Sequence, residues 1–266
     1  MTRIAISDCF CMEVKESGTG IPIILLHGFC GSSDYWKKTA TELSGHYRVI
    51  MPDLRGHGLT DAPVGPYSID QMADDIAQLA DKLELDRFVL LGHSLGGYIT
   101  LSFLERYGDR LLGAGLIHST AFPDSDEAKA NRLAAVENIQ KHGISEFVDG
   151  LIPKLFHPNR MEEQTELVTE AKQIGYLTPP HGAIGAALAM RERDDRTQVL
   201  AAAKLPILLA AGKGDAVVPQ EKLFTVDGKN VMQAVIEQAG HMGMMEQPKE
   251  MAAIIDRFMN DYVTAE

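Results

Sequence analysis

Cysteine is scarce: the 266 residues carry three, Cys9, Cys11 and Cys30. An odd number without CxxC spacing excludes a disulfide frame and a zinc site. Each is expected to be a plain buried residue in a reducing compartment. Positive charge is also in short supply, with 25 Lys and Arg against 37 Asp and Glu and a formal net charge of −12. No basic stripe is visible, which argues against nucleic acid as a partner. Long apolar runs are missing too. No segment approaches the ~20 unbroken apolar residues of a membrane span. The start, MTRIAISDCF, lacks the basic and apolar regions of a signal peptide, so a cytoplasmic location is expected. GTG at 18–20 and GKG at 212–214 complete neither a dinucleotide fingerprint nor a P-loop. His27, His57, His93 and His241 show no H-x-x-x-H spacing and no carboxylate on a shared helix face. Neither a cofactor nor a metal is therefore expected, and activity should survive chelators.

What is present is an alternation of short apolar runs with helical periodicity. IPIILLHG (21–28), YRVIMPD (47–53), RFVLLGH (87–93), LLGAGLIHS (111–119), LPILLAAG (205–212) and VMQAVIE (231–237) read as strands buried on both faces, the pattern of a parallel sheet. The opening RIAISDCFCMEVKES alternates and predicts an antiparallel edge hairpin. Ile69, Met72, Ala73, Ile76, Leu79, Ala80 and Leu83 recur every three or four residues behind a capping box of Ser68 and Gln71. The alternation implies an α/β fold, doubly wound with right-handed crossovers. Between residues 122 and 200 no strand-like run occurs. Amphipathic segments interrupted at Pro153, Pro158, Pro179 and Pro180 predict a helical insertion over one end of the sheet.

Within LLGHSLGGYI (90–99), Ser94 ends one strand and opens a helix, with Gly92 and Gly96 two residues to either side. A G-x-S-x-G turn is too sharp for flanking side chains, and it presents the hydroxyl at the C-terminal end of the strand. The helix that follows aims free N–H groups and its positive dipole end at the same point, which suits a developing oxyanion. Serine needs a base oriented by a carboxylate. His241, in the loop after the last strand, lies at the edge where ligands of open α/β sheets gather. Asp215, directly after another strand, is the preferred acid. Asp124, in the polar helix-start cluster FPDSDE, is the competing one. The chain order Ser94, Asp215, His241 is that of α/β-hydrolases.

With HGF at 27–29, DLRGHG at 53–58, GKGDAVVP at 212–219 and AGHMGMMEQP at 239–248 added to GHSLG, the chain resembles the α/β-hydrolase family over essentially its whole length. The resemblance implies an eight-stranded, mostly parallel sheet flanked by helices, with a core of residues 1–121 and 201–266 and a helical cap at 122–200. It implies catalysis by Ser94, Asp215 and His241 and an oxyanion hole built from the backbone N–H groups of Phe29 and Leu95. His27 and His57 match positions that are structural in the family. His93 occupies a variable position and is expected to point away from substrate. Because the elbow holds serine and not aspartate, dehalogenase and epoxide hydrolase chemistry is disfavoured. The implied activity is hydrolysis of small to medium apolar carboxylic esters through an acyl-enzyme. Enol-lactone hydrolysis, carbon–carbon bond hydrolysis and cofactor-free perhydrolysis use the same triad, and a small-molecule receptor with little turnover is the reading from another class. Phe147, Leu151, Leu155, Phe156, Ile174, Tyr176, Ile184, Leu188 and Met190 are expected to serve the insertion as core more than as pocket, and so are Met242, Met244 and Met245 behind His241.

Overall fold

A computed structural model describes residues 1–264 of the chain. In chain order the elements are β1 (Thr2–Ser7), β2 (Phe10–Ser17), β3 (Pro22–Leu26), α1 (Lys37–Leu43), β4 (Arg48–Pro52), α2 (Ile69–Lys82), β5 (Phe88–His93), α3 (Leu95–Tyr107) and β6 (Leu111–Ile117). There follow α4 (Asp126–Leu151), α5 (Thr165–Tyr176), α6 (Pro180–Arg191), α7 (Thr197–Ala202), β7 (Ile207–Gly212), α8 (Gln220–Leu223), β8 (Val231–Ile236), α9 (Gly243–Glu246) and α10 (Pro248–Phe258). The strands form one eight-stranded sheet in the order β1-β2-β4-β3-β5-β6-β7-β8. The opening hairpin pairs antiparallel with itself and with β4, and every other pairing is parallel.

The unbroken apolar runs follow from this arrangement. Successive side chains of a strand point to opposite faces, and both faces are covered. Ile23 and Leu25 of β3 join one buried cluster while Ile24 and Leu26 join the other. The run at 231–237 departs from this expectation. β8 lies at the sheet edge and its burial alternates, with Gln233 exposed between Met232 and Ala234. α2 buries the predicted stripe against the sheet, and Ser68 Oγ accepts from the Gln71 N–H at 3.0 Å. Only that half of the capping box is made among the described residues.

Between β6 and β7 the chain carries helices joined by loops and no strand among the described residues. α4 is broken at Gly143, whose φ of 83° suits glycine and few other residues. α6 begins at Pro180 and buries small residues, and a Cβ on its Gly182 would lie 2.1 Å from the Gly56 carbonyl oxygen. Close approach of backbones fixes this helix on the loop after β4. No helix among the described residues is long and apolar enough to cross a membrane. The cysteines divide, against the expectation that all three are buried. Cys30 is buried, Cys11 is half-buried in β2 of the edge hairpin, and Cys9 is exposed at the hairpin turn, where no second layer covers it.

Trp36, the one tryptophan of the chain, is fully buried and donates its Nε1–H to the Leu26 carbonyl at the end of β3, 3.1 Å away. Trp36→Phe removes this buried hydrogen bond and is expected to cost about 1–3 kcal/mol. Urea denaturation followed by circular dichroism measures it.

Candidate active site

Ser94 sits between β5 and α3 with φ 51° and ψ −112°, a backbone conformation that stores about 1–3 kcal/mol. The glycines around it have ordinary negative φ values; crowding is what requires them. A Cβ on Gly92 would lie 2.1 Å from the Gly96 carbonyl oxygen, and one on Gly97 would lie 2.3 Å from Ser119 Oγ. Ser119 also donates to the Ser94 carbonyl at 2.8 Å, and the Ser94 N–H is held by Ile117 of β6 at 3.0 Å. The turn is thus pinned from the neighbouring strand. Ser94 does not cap its own helix, so its Oγ stays unspent.

His241 and Asp215 meet. Nδ1 of His241 lies 2.8 Å from Asp215 Oδ2, and both side chains are buried. The other carboxylate oxygen, Oδ1, accepts from the N–H groups of Val217 and Val218 at 2.8 and 2.9 Å. Burial pushes the Asp215 carboxyl up, but His241 and His118 outweigh it and hold the group well below the usual carboxylate range. His118, which sequence reasoning left inside a strand, is therefore part of the site. Its Nδ1 is 3.3 Å from Asp215 Oδ2 and 3.2 Å from the Gly212 N–H, and one ring nitrogen serves only one of the two at a time. Like Ser94, it has a positive φ, 48°, directly after its strand.

A sequence model described as the alpha/beta hydrolase fold matches residues 21–248. The chain belongs to the alpha/beta hydrolase family. Among solved structures it is similar to a thermophilic esterase from Thermogutta terrifontis, with 34% identity, 97% of each chain covered and a TM-score of 0.92. Among curated proteins it is 25% identical over 252 residues to 3-oxoadipate enol-lactonase 2 of Acinetobacter baylyi, covering 91% of this chain and 90% of the relative. The enol-lactonase of Burkholderia xenovorans LB400, at 22% identity and a TM-score of 0.87 over 96% of this chain and 99% of that one, shares the fold.

On this alpha/beta hydrolase sheet the remaining residues fall into place around His241. His93 is buried: its Nε2–H donates to the His241 carbonyl at 2.8 Å, and the ring centroids are 4.9 Å apart. Glu246 is buried and accepts from four N–H groups. Gly240 and Met242 bracket His241 on Oε1, at 2.8 and 3.1 Å. His157 N–H and Gln164 Nε2 bind Oε2, at 2.9 and 2.8 Å. The His241 N–H donates in turn to Leu155 O at 2.7 Å. Segment 155–164 of the helical insertion is thereby tied to the histidine loop. The one trace of this in sequence is a glutamate in the stretch quoted around His241.

Neither the Phe29 nor the Leu95 N–H has a backbone acceptor among the described residues. His27 accepts from the Leu54 N–H at 2.9 Å, with its Nδ1 on the Gly28 carbonyl at 2.8 Å, so it joins the ends of β3 and β4. Asp124 stands apart from His241. It is buried between Arg193 and Arg132, while Ser125 caps α4. Met242, Met244 and Met245 are buried core. A cavity of about 850 Å³ meets the site at Phe29, Val217 and Val218, with Tyr98 and, from the insertion, Phe147 and Leu151 also in its wall; Ser94 and His241 do not line it. The ligating atoms of His118, Asp215 and His241 lie within 4.8 Å of one another, a spacing that fits a cation, but they already satisfy one another by hydrogen bonding.

Burial lowers the pKa of His27, His93 and His118, and burial followed by the charge of His27 lowers that of His57 to about 3. Unfolded imidazoles titrate near 6.5 and bind protons that the folded ones refuse. Stability is therefore full above pH 6.5 and is lost as pH falls toward the folded values, by up to about 1.4 kcal/mol per pH unit for each histidine. Denaturation midpoints measured from pH 7.5 to pH 4.5 should fall steeply below pH 6.5; a flat profile contradicts the buried neutral imidazoles.

Proposed function

We propose that the protein is a serine hydrolase that cleaves carboxylic esters through an acyl-enzyme, with Ser94 as nucleophile, His241 as base and Asp215 as the acid that orients it. The observation that carries this reading is the pairing of a strained, unspent Ser94 at the strand-to-helix turn with the buried 2.8 Å contact between His241 and Asp215. Ser94 Oγ attacks the ester carbonyl as His241 Nε2 takes its proton; His241 then returns a proton to the departing alcohol, and water repeats the sequence on the acyl-enzyme. The free N–H groups of Phe29 and Leu95 form the oxyanion hole, each worth about 3 kcal/mol in the transition state. Asp215, anchored by two backbone N–H groups, keeps the proton on Nδ1 and leaves Nε2 free to act as the base.

Residues 122–200 act as the cap and residues 1–121 and 201–266 as the core, of which residues 265–266 lie outside the described residues. This division is supported by the bonds from Leu155, His157 and Gln164 to the histidine loop and by the 5.9 Å edge contact of Phe147 with Phe29. The similarity to the Thermogutta terrifontis esterase supports ester cleavage, and that to the Acinetobacter baylyi enol-lactonase keeps an internal ester, a lactone, as the second reading.

With p-nitrophenyl butyrate as substrate, Ser94→Ala is expected to abolish turnover and Asp215→Asn to lower kcat by about 10⁴-fold. Undiminished hydrolysis by pure Ser94→Ala protein contradicts the assignment. Full hydrolysis after dialysis against EDTA is expected, since no step uses a metal.

A further inference from the structure

The cavity beside Phe29 has a charge of the wrong sign for its protein. Four cations line it, Arg132, Lys154, Arg193 and Lys222, against two carboxylates, Asp124 and Asp195, in a chain of formal net charge −12. Asp124 is spent, and Asp195 is exposed with one oxygen engaged. Asp195 accepts from the N–H and hydroxyl of Thr197 at 2.8 and 2.6 Å. Asp124 is buried and shared by two guanidinium groups: one oxygen takes Arg193, and the other takes Arg132 Nε at 3.0 Å. Arg193 is buried, with its Nε on the Phe122 carbonyl at 3.1 Å, its Nη1 also on the Met190 carbonyl at 2.9 Å and its plane 4.0 Å over the Tyr98 ring.

Arg132 is not consumed. It is half-buried, and among the described residues its two terminal nitrogens hold no partner. Neither lysine pairs with a carboxylate among the described residues, and Lys222 Nζ stands 5.5 Å over the Phe122 ring at the cavity wall. Two arginines on one carboxylate leave a positive charge uncompensated in a partly desolvated pocket, where charge-assisted hydrogen bonds are strong. One more anion completes the set.

We infer that the substrate carries a carboxylate on the part that lies in this cavity, held by the free face of Arg132 with Lys154 and Lys222 beside it. The ester to be cleaved is then that of a hemi-ester of a dicarboxylic acid, or a lactone bearing an acid side chain. This inference rests on the proposed hydrolase reading and replaces the apolar ester expected from the sequence with an anionic one. The apolar walls, Phe147, Leu151 and Val217, suit the methylene chain between the two ends.

The test compares monoethyl glutarate, adipate and pimelate with ethyl pentanoate, hexanoate and heptanoate, pairs of equal acyl length that differ in the terminal carboxylate. At low salt, kcat/KM for the best hemi-ester is expected to exceed that of its neutral partner by roughly tenfold or more, and the ratio to shrink toward 0.5 M NaCl. Arg132→Gln is expected to lower the ratio by about tenfold, and so is the exposed pair Lys154→Gln with Lys222→Gln. A purely structural loss at Arg132 lowers both substrates together and leaves the ratio in place. A neutral preference at every length, or a ratio that both variants leave unmoved, overturns the inference. Calorimetry of adipate binding to the wild-type protein separates the two readings. Turnover of neutral esters without adipate binding sinks the anion site alone. Adipate binding that Arg132→Gln abolishes, without turnover of any ester, supports the anion site and sinks the hydrolase.

Discussion

The site depends on one buried carboxylate with both oxygens engaged. Asp215 leaves the end of β7 with its first oxygen fixed by two N–H groups of its own loop and its second facing His241 and His118. A carboxylate taken out of water is costly unless it is paired and hydrogen-bonded, so the loops after β6, β7 and β8 are constrained to arrive together. The imidazole of His241 is then held by its ring, by its N–H on Leu155 and by its carbonyl on His93. Glu246 repeats the device from below, gathering N–H groups from the histidine loop and from the helical insertion. An acidic protein has thus used two carboxylates as internal anchors for a single histidine.

The nucleophile is held by packing. Without room for a Cβ at Gly92 or Gly97, strand and helix approach closely, and the strain falls on Ser94 alone. Three of the four positive-φ residues other than glycine, Cys30, Ser94 and His118, lie in the segments that leave β3, β5 and β6. Backbone strain therefore gathers at one edge of the sheet, in the segments that carry Cys30, Ser94 and His118 out of their strands, as expected where a scaffold over-determines a functional turn.

Much of this was legible in the amino-acid order because it is local. The strands showed themselves as unbroken apolar runs because both faces of the sheet are covered, and β8 misled for the same reason, since an edge strand needs less cover. The glycines around Ser94 and the placement of Asp215 and His241 after strand ends are also local signals. What could not be read depends on residues brought together from afar. His118 lies 97 positions from Asp215, His157 lies 89 from Glu246, and Arg193 lies 69 from Asp124. Nothing in FPDSDE shows that its aspartate is held between two arginines, and nothing in GHS shows that His93 turns back to hold the His241 carbonyl. The cationic cavity is likewise assembled from the loop after β6, the insertion and α8.

The central claim is that His241, oriented by Asp215, makes the Ser94 hydroxyl reactive. The most direct measurement is the rate at which a fluorophosphonate labels the protein, with the modified residue located by mass spectrometry in the wild type and in His241→Ala. The account predicts one label per chain, on Ser94, with a rate that falls by at least about 10²-fold when the imidazole is removed. Labelling at another residue, or at Ser94 with the same rate in both proteins, contradicts it.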